Sequence, residues 1–270
     1  MTRGPVPALR RIGAIVRRHL YLLIGSTPRL VDLVYWPTMQ MVLWGFISRY
    51  LSGQSSSIAQ AGGIFLSAIL LWDILFRGQL GTSLCFIEEM YARHFGHLFV
   101  SPLRPAEFVA AVFTISTVRV LIGVGTAALL AWPVHHFSLV DALGWSLLPF
   151  FAVLLMFGWA LGLIIAGLLL RLGLGAENLA WGAIFLIQPL TGVFYPLATL
   201  PQPVRTLGWL LPSGPVFEGM RAVLTEGRFD VRLFLLSVGL LLVWMGISAV
   251  SFLLLFRSAR ERGLLLQGAE

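Results

Sequence analysis

Six apolar stretches, each bounded by charge or proline, dominate this chain and dictate its class of fold. They fall at 30–50, 59–86, 108–132, 142–170, 178–194 and 233–256. About 20 helical residues cross a hydrocarbon core about 30 Å thick, and runs of about 17 to 25 serve. Only 11% of the 270 residues are charged, against about 25% in soluble domains, so the chain cannot cover a water-facing surface. The expected fold is an all-α polytopic membrane protein, a single transmembrane domain over 1–270 with six transmembrane helices.

The stretches between the runs set the expected topology. Residues 1–28 carry Arg3, Arg10, Arg11, Arg17 and Arg18 beside a stripe of Leu9, Ile12, Ile15, Val16, Leu20, Leu23 and Ile24 at helical spacing. A basic face opposite an apolar face reads as an interfacial helix on an anionic membrane surface. In the first span, Trp36-Pro37 predicts a kink or a restart of the helix, and Asp32 is expected at the cytoplasmic interface. The longest polar interruption runs from Leu84 to Glu107, with Glu88, Glu89, Arg93, His94 and His97, and closes on the turn Ser101-Pro102-Leu103-Arg104-Pro105. Met90, Phe95, Leu98 and Phe99 recur there at helical spacing, so a short amphipathic surface helix is expected within 88–105. The segment 195–230 is too interrupted by proline to span. Two short amphipathic pieces, about 202–211 and 215–225, fit it better, folded back into the outer leaflet.

Arginine sets the orientation, since lysine is absent from the sequence. Six spans with both ends inside place Arg93, Arg104, Arg171 and the terminal arginines in the cytoplasm, as the positive-inside rule favours. Loops 51–58, 133–141 and 196–230 then lie outside. The formal charge of +7 follows from these flanking arginines, and no nucleic-acid partner is expected. No cleavable signal peptide is expected either, because the first apolar stretch is broken by charge and lacks a small-residue cleavage site. A lone cysteine, Cys85, rules out an intramolecular disulfide and a cysteine-cluster metal site.

Catalytic patterns are sparse. There is no histidine pair around a glutamate, no Gly-x-Ser-x-Gly elbow and, without lysine, no Walker-type phosphate loop. The adjacent His135 and His136 fall in a short loop, an ordinary feature more often than a metal site. ATP-driven movement would therefore need nucleotide bound on another chain. Asp73 and Arg77 stand four apart on one helical face and can pair. They read as a structural ion pair, with a proton relay or ion site as the alternative. Arg119, near the middle of the third span, is expected to answer an acid from a neighbouring helix or to face an aqueous cavity. Trp36, Trp44, Trp132, Trp145 and Trp209 mostly sit near span ends, where interfacial anchoring accounts for them.

Several of these segments together resemble the ABC-2 type transporter permeases over nearly the whole chain. They are RLVDLVYWP at the first span, WDILFRGQLG followed by EE…HLFVSPLRPAE, then GVFYPLATLP and LPSGPVFEGMRAVL. The resemblance implies a bacterial inner-membrane subunit that forms a homodimer and sits on two ABC ATPase subunits. ATP and magnesium would bind the ATPases, with no cofactor on this chain. It implies that the segment after the second span, about Glu88–Val100, is the coupling helix, with Glu88, Glu89, Arg93, Phe95 and Phe99 as its contact residues. It also matches the outer re-entrant helices to 196–226, including Tyr195, Pro196, Glu218 and Arg221 in that segment. The exported substrate is left open. The rival expectation is a secondary transporter or channel that uses Asp73, Arg77 and Arg119 directly; an intramembrane enzyme lacks a nucleophile with a base.

Overall fold

The computed structural model describes residues 8–52, 56–93 and 103–262, and their side chains apart from 51, 52, 56–62 and 174. Helices succeed one another as α1 (Ala8–Ile24), α2 (Thr27–Ser52), α3 (Ser56–Tyr91), α4 (Pro105–His135), a short α5 (Leu139–Leu143), α6 (Leu147–Leu172), α7 (Asn178–Ile187), α8 (Gln202–Trp209), α9 (Ser213–Glu226) and α10 (Val231–Glu261). No strand occurs among the described residues. Among the described residues, five segments are long and apolar enough to cross a membrane: Thr27–Tyr50, Gly63–Tyr91, Pro105–His135, Leu139–Leu172 and Val231–Glu261.

The expected fifth span at 178–194 takes a different form. α7 stops at Ile187 and a single 3-10 turn, Gln188–Leu190, follows. Pro189 lacks the amide hydrogen that a continuing helix needs. The apolar helical run Asn178–Leu190 rises about 20 Å at ~1.5 Å per residue, short of a core about 30 Å thick.

α3 and α6 form the centre of the bundle. Their spans are each 78% buried, against 22% for α2 and 17% for α10. α3 packs on α6, α2 and α4, and α6 also packs on α10. Between helices in lipid there is little hydrophobic drive, so close approach of small residues carries much of the packing. Gly158 and Gly162, spaced by three residues on α6, provide it. A Cβ at Gly158 would lie 2.7 Å from the Leu75 carbonyl oxygen, and one at Gly162 2.7 Å from that of Gln79. The two backbones therefore touch, and Phe157, Leu154, Leu71 and Leu75 close the core around that contact.

α2 runs unbroken through Pro37. The proline cannot donate to the Leu33 carbonyl, and α4 crosses at that point: a Cβ on Gly123 would lie 2.9 Å from the Leu33 oxygen. α4 starts at Pro105, ahead of the span expected from 108. Pro105 takes the first helical position, and the Arg104 amide donates to Glu107 Oε2 at 3.1 Å, which places a carboxylate at the positive end of the helix. α10 begins likewise at Asp230, whose side chain accepts from the amides of Arg232 and Leu233 at 2.8 and 3.3 Å.

Candidate functional site

α3 keeps its helical course through Tyr91, and Ala92 and Arg93 then turn the chain. Arg93 is exposed and left-handed, with φ 55°. Glu88 and Glu89 thus occupy the last turn of α3, whereas the sequence placed them at the start of a separate surface helix. Phe95 and Phe99, with the rest of 94–102, lie outside the described residues.

Two carboxylates at a helix C-terminus oppose the helix dipole, and cations from three other helices compensate them. Arg119 of α4 donates through Nη2 to both oxygens of Glu88 at 3.2 Å. Arg29 of α2 lies 3.4 Å from Glu88, and Arg18 of α1 lies 2.8 Å from Glu89. His19 of α1 sits between the acids, Nδ1 3.3 Å from Glu88 and Nε2 3.4 Å from Glu89. His19 and Glu89 are wholly buried. Both acids therefore face inward, and neither presents a free carboxylate to a partner surface.

The geometry fixes the protonation of His19. A neutral imidazole has one donor nitrogen and one acceptor nitrogen, and here each nitrogen faces a carboxylate. Only imidazolium suits both. Burial by itself pulls the His19 pKa down, but the contacts and charges of Glu88 and Glu89 outweigh it and hold the value above the usual 6.5. The contacts, at 3.3 and 3.4 Å, are longer than ordinary hydrogen bonds, and charge attraction adds to them.

A second tie joins α1 to α4, where Arg11 donates through Nε to Glu107 at 2.8 Å and through Nη2 at 2.5 Å. Arg11 therefore meets the first turn of α4, while His19 lies level with Arg119. The two helices run side by side in the same sense over about 12 Å of α1, at ~1.5 Å per residue. His19 and Leu23 are the buried residues of α1.

Deeper in the bundle, Arg77 donates through Nε to Asp73 at 2.7 Å, both residues buried. Neither bonds Arg119, whose partner is Glu88. The Arg77 side chain lies against Gly123, where a Cβ would come within 3.1 Å of its Nε. Arg77 and Arg119 thus line one face of the α3/α4 contact, about one helical turn apart.

At the other end of the bundle, the segment after α7 is tied to α9. Glu218 accepts the Leu197 amide at 2.6 Å and pairs with Arg221 at 3.1 Å. Tyr195 donates to the Pro189 carbonyl at 2.7 Å, and Pro196 leads into the 3-10 turn Leu197–Thr199. Trp44 stacks on Phe194, ring centroids 4.9 Å apart. Trp36, Trp132 and Trp145 are exposed.

His19, Cys85 and Glu88 bring ligand-type atoms within 4.8 Å of one another. Arg29 and Arg119, already on Glu88, oppose a further cation there, so the set carries no metal assignment. Sequence reasoning missed Arg18, His19, Arg29, Arg11 and Glu107. The signal within reach was the pair His19 and Leu23, four apart, which gives α1 a buried edge with a titratable group on it.

The arrangement is a polar knot that binds the end of one central helix to three others. Comparison with protein families matches residues 13–225 to the ABC-2 type transporter family. Comparison with curated proteins gives no match. The family match spans most of the chain, from inside α1 to the end of α9, and with the membrane-spanning helices it places this multi-pass membrane protein in the ABC-2 type transporter family, as a transport permease.

Proposed function

We propose that this chain is the permease of an ATP-driven exporter in a bacterial inner membrane, working as a homodimer on two ABC ATPase subunits that bind the ATP and magnesium. The family normally works with such ATPases, and α2 and α10 present large apolar side chains, among them Tyr35, Leu43, Leu242 and Val250, that lipid or a second copy would cover. Both termini and 88–105 face the cytoplasm in this reading. The run 178–194 makes a sixth crossing together with the tied outer segment that follows it.

The observation that carries the mechanism is the knot at Glu88 and Glu89. Arg93, Phe95 and Phe99 are the contact residues for the ATPase. Glu88 and Glu89 transmit: a displacement of the segment pulls on α3, and through Arg18, His19, Arg29 and Arg119 on α1, α2 and α4 together. Rigid, packed elements carry such a shift because they do not deform continuously. Aromatic anchors commonly dominate interfaces of this kind.

The test replaces Phe95 and Phe99 with alanine in the complex and measures insertion, retention of the ATPase and transport-linked hydrolysis. The expected result is normal insertion with loss of the partner or of coupling. Variants that insert, hold the partner and transport normally would overturn the assignment of this segment. A secondary transporter using Asp73, Arg77 and Arg119 gains little from the geometry, because Asp73 is paired with Arg77 and Arg119 with Glu88.

A further inference from the structure

A cleft of about 90 Å³ opens between α1, α2, α3 and α4, and its charged lining is Arg29, Arg77, Arg119, Asp32 and Glu88. That volume is about three waters at ~30 Å³ each, room for a phosphate-sized group. Leu23, Leu33, Leu80 and Leu84 form the apolar walls.

Donor capacity exceeds acceptor capacity inside it. Arg77 gives only Nε to Asp73, and among the described residues nothing accepts from its two terminal nitrogens. Its side chain is just 8% exposed. The Nε of Arg119 is buried and makes no hydrogen bond. The terminal nitrogens of Arg77 are not among the fully buried polar atoms, so they are open to a ligand, and guanidinium groups match the oxygens of a phosphate in paired hydrogen bonds. Arg29, 43% exposed, leaves the mouth open. Glu88 is already neutralised by Arg29 and Arg119, and Asp32 is exposed. Those two carboxylates disfavour a free dianion, whereas a singly charged phosphodiester meets less repulsion. The leucine walls favour a ligand with an apolar part beside its phosphate.

We propose that this cleft binds the phosphodiester group of a membrane phospholipid, with Arg77 and Arg119 on the phosphate and the leucines beside its apolar portion. The site does not depend on the ATPase partner, so it stands or falls separately from the coupling mechanism. Basic pockets between membrane helices hold lipid head groups by the same forces.

The test uses the full chain purified in detergent and three probes: phosphatidylglycerol, a glycolipid of the same chain length without phosphate, and inorganic phosphate. Retained lipid is counted by native mass spectrometry, and thermal unfolding is followed for each probe. Phosphatidylglycerol is expected to remain bound and to raise the melting temperature, while the other two do neither. The paired variant Arg77→Gln with Asp73→Asn, which leaves no charge unpaired, is expected to bind it about tenfold more weakly or worse, the equivalent of ~1.4 kcal/mol. Leu84→Trp, which fills the cleft and spares the arginines, is expected to do the same. Equal retention of the glycolipid would make the bound lipid merely annular and would overturn the proposal. So would equal stabilisation by inorganic phosphate, or retention of phosphatidylglycerol that the paired variant leaves unchanged.

Discussion

Replacing Glu88 with alanine removes the carboxylate on which three cations converge, and exposure ranks what each loss costs. Arg29 is 43% exposed, and pairs of that kind contribute only about 0–1 kcal/mol. Arg119 is buried, with a side chain 7% exposed, and among the described residues its carboxylate partner is Glu88. Removing one member of a buried pair costs about 3–5 kcal/mol, because the remaining charge stays buried alone. His19 keeps Glu89 at 3.4 Å, so its share is smaller. The losses belong to one network and do not add. Glu88→Ala is therefore expected to lose about 3–5 kcal/mol, and Arg29→Ala less than about 1 kcal/mol. A double replacement, Glu88→Leu with Arg119→Leu, removes both charges and is expected to recover most of the loss, as apolar substitutes for buried pairs commonly do. Unfolding in mixed micelles, followed by the fluorescence of the nine tryptophans, measures all three. The reasoning fails if Glu88→Ala stays within about 1 kcal/mol of the parent chain, or if the double replacement is no more stable than the single one.

Three other outcomes are expected. His19 binds its proton more tightly folded than unfolded, so its contribution is full below the ordinary value of 6.5 and is lost as pH rises through the higher folded value. Stability should then fall as pH rises from the ordinary histidine value of 6.5 through the raised folded value, relative to a His19→Gln chain, and parallel curves for the two would refute it. Gly158→Ala sets a methyl 2.7 Å from the Leu75 oxygen and 2.9 Å from the Gln79 nitrogen, and should destabilise by about 1–3 kcal/mol. Gly239→Ala, with nothing within 4 Å, should be neutral or stabilising by up to about 1 kcal/mol; equal effects at the two sites would contradict the packing account. Asp73→Asn or Arg77→Ala alone should lower the yield of folded protein, with partial rescue on exchanging the two charges. A stable, transport-dead Asp73→Asn chain would instead assign Asp73 a proton-handling role.

Long apolar runs made five membrane-length helices legible, because burial in lipid demands length and composition and little else. Even the shortfall at the fifth run was within reach of the sequence, since Gln188-Pro189 ends the helix at Ile187. The start of α4 at Pro105, with Glu107 on the Arg104 amide, was equally within reach, though the expected span began at 108. The end of α3 was harder. A pair of acids beside an amphipathic stretch is the usual sign of a helix start, and the cations that reverse that reading come from Arg18, His19, Arg29 and Arg119. Those residues lie 31 to 71 positions away in sequence, and no local period encodes such a meeting. Arg119 was expected to meet an acid from a neighbouring helix or an aqueous cavity, and nothing short of the packing of α3 on α4 named Glu88. Trp44 shows the same limit, because its stacking on Phe194 joins distant parts of the chain.

The most direct measurement of the account compares the purified chain alone, and then with an ABC ATPase co-expressed beside it, in sealed liposomes. The account predicts that the chain alone neither hydrolyses ATP nor moves solute under an imposed ion gradient, and that the complex hydrolyses ATP and transports only when nucleotide is present. Gradient-driven transport by the chain alone, indifferent to ATP and to the ATPase, would contradict it.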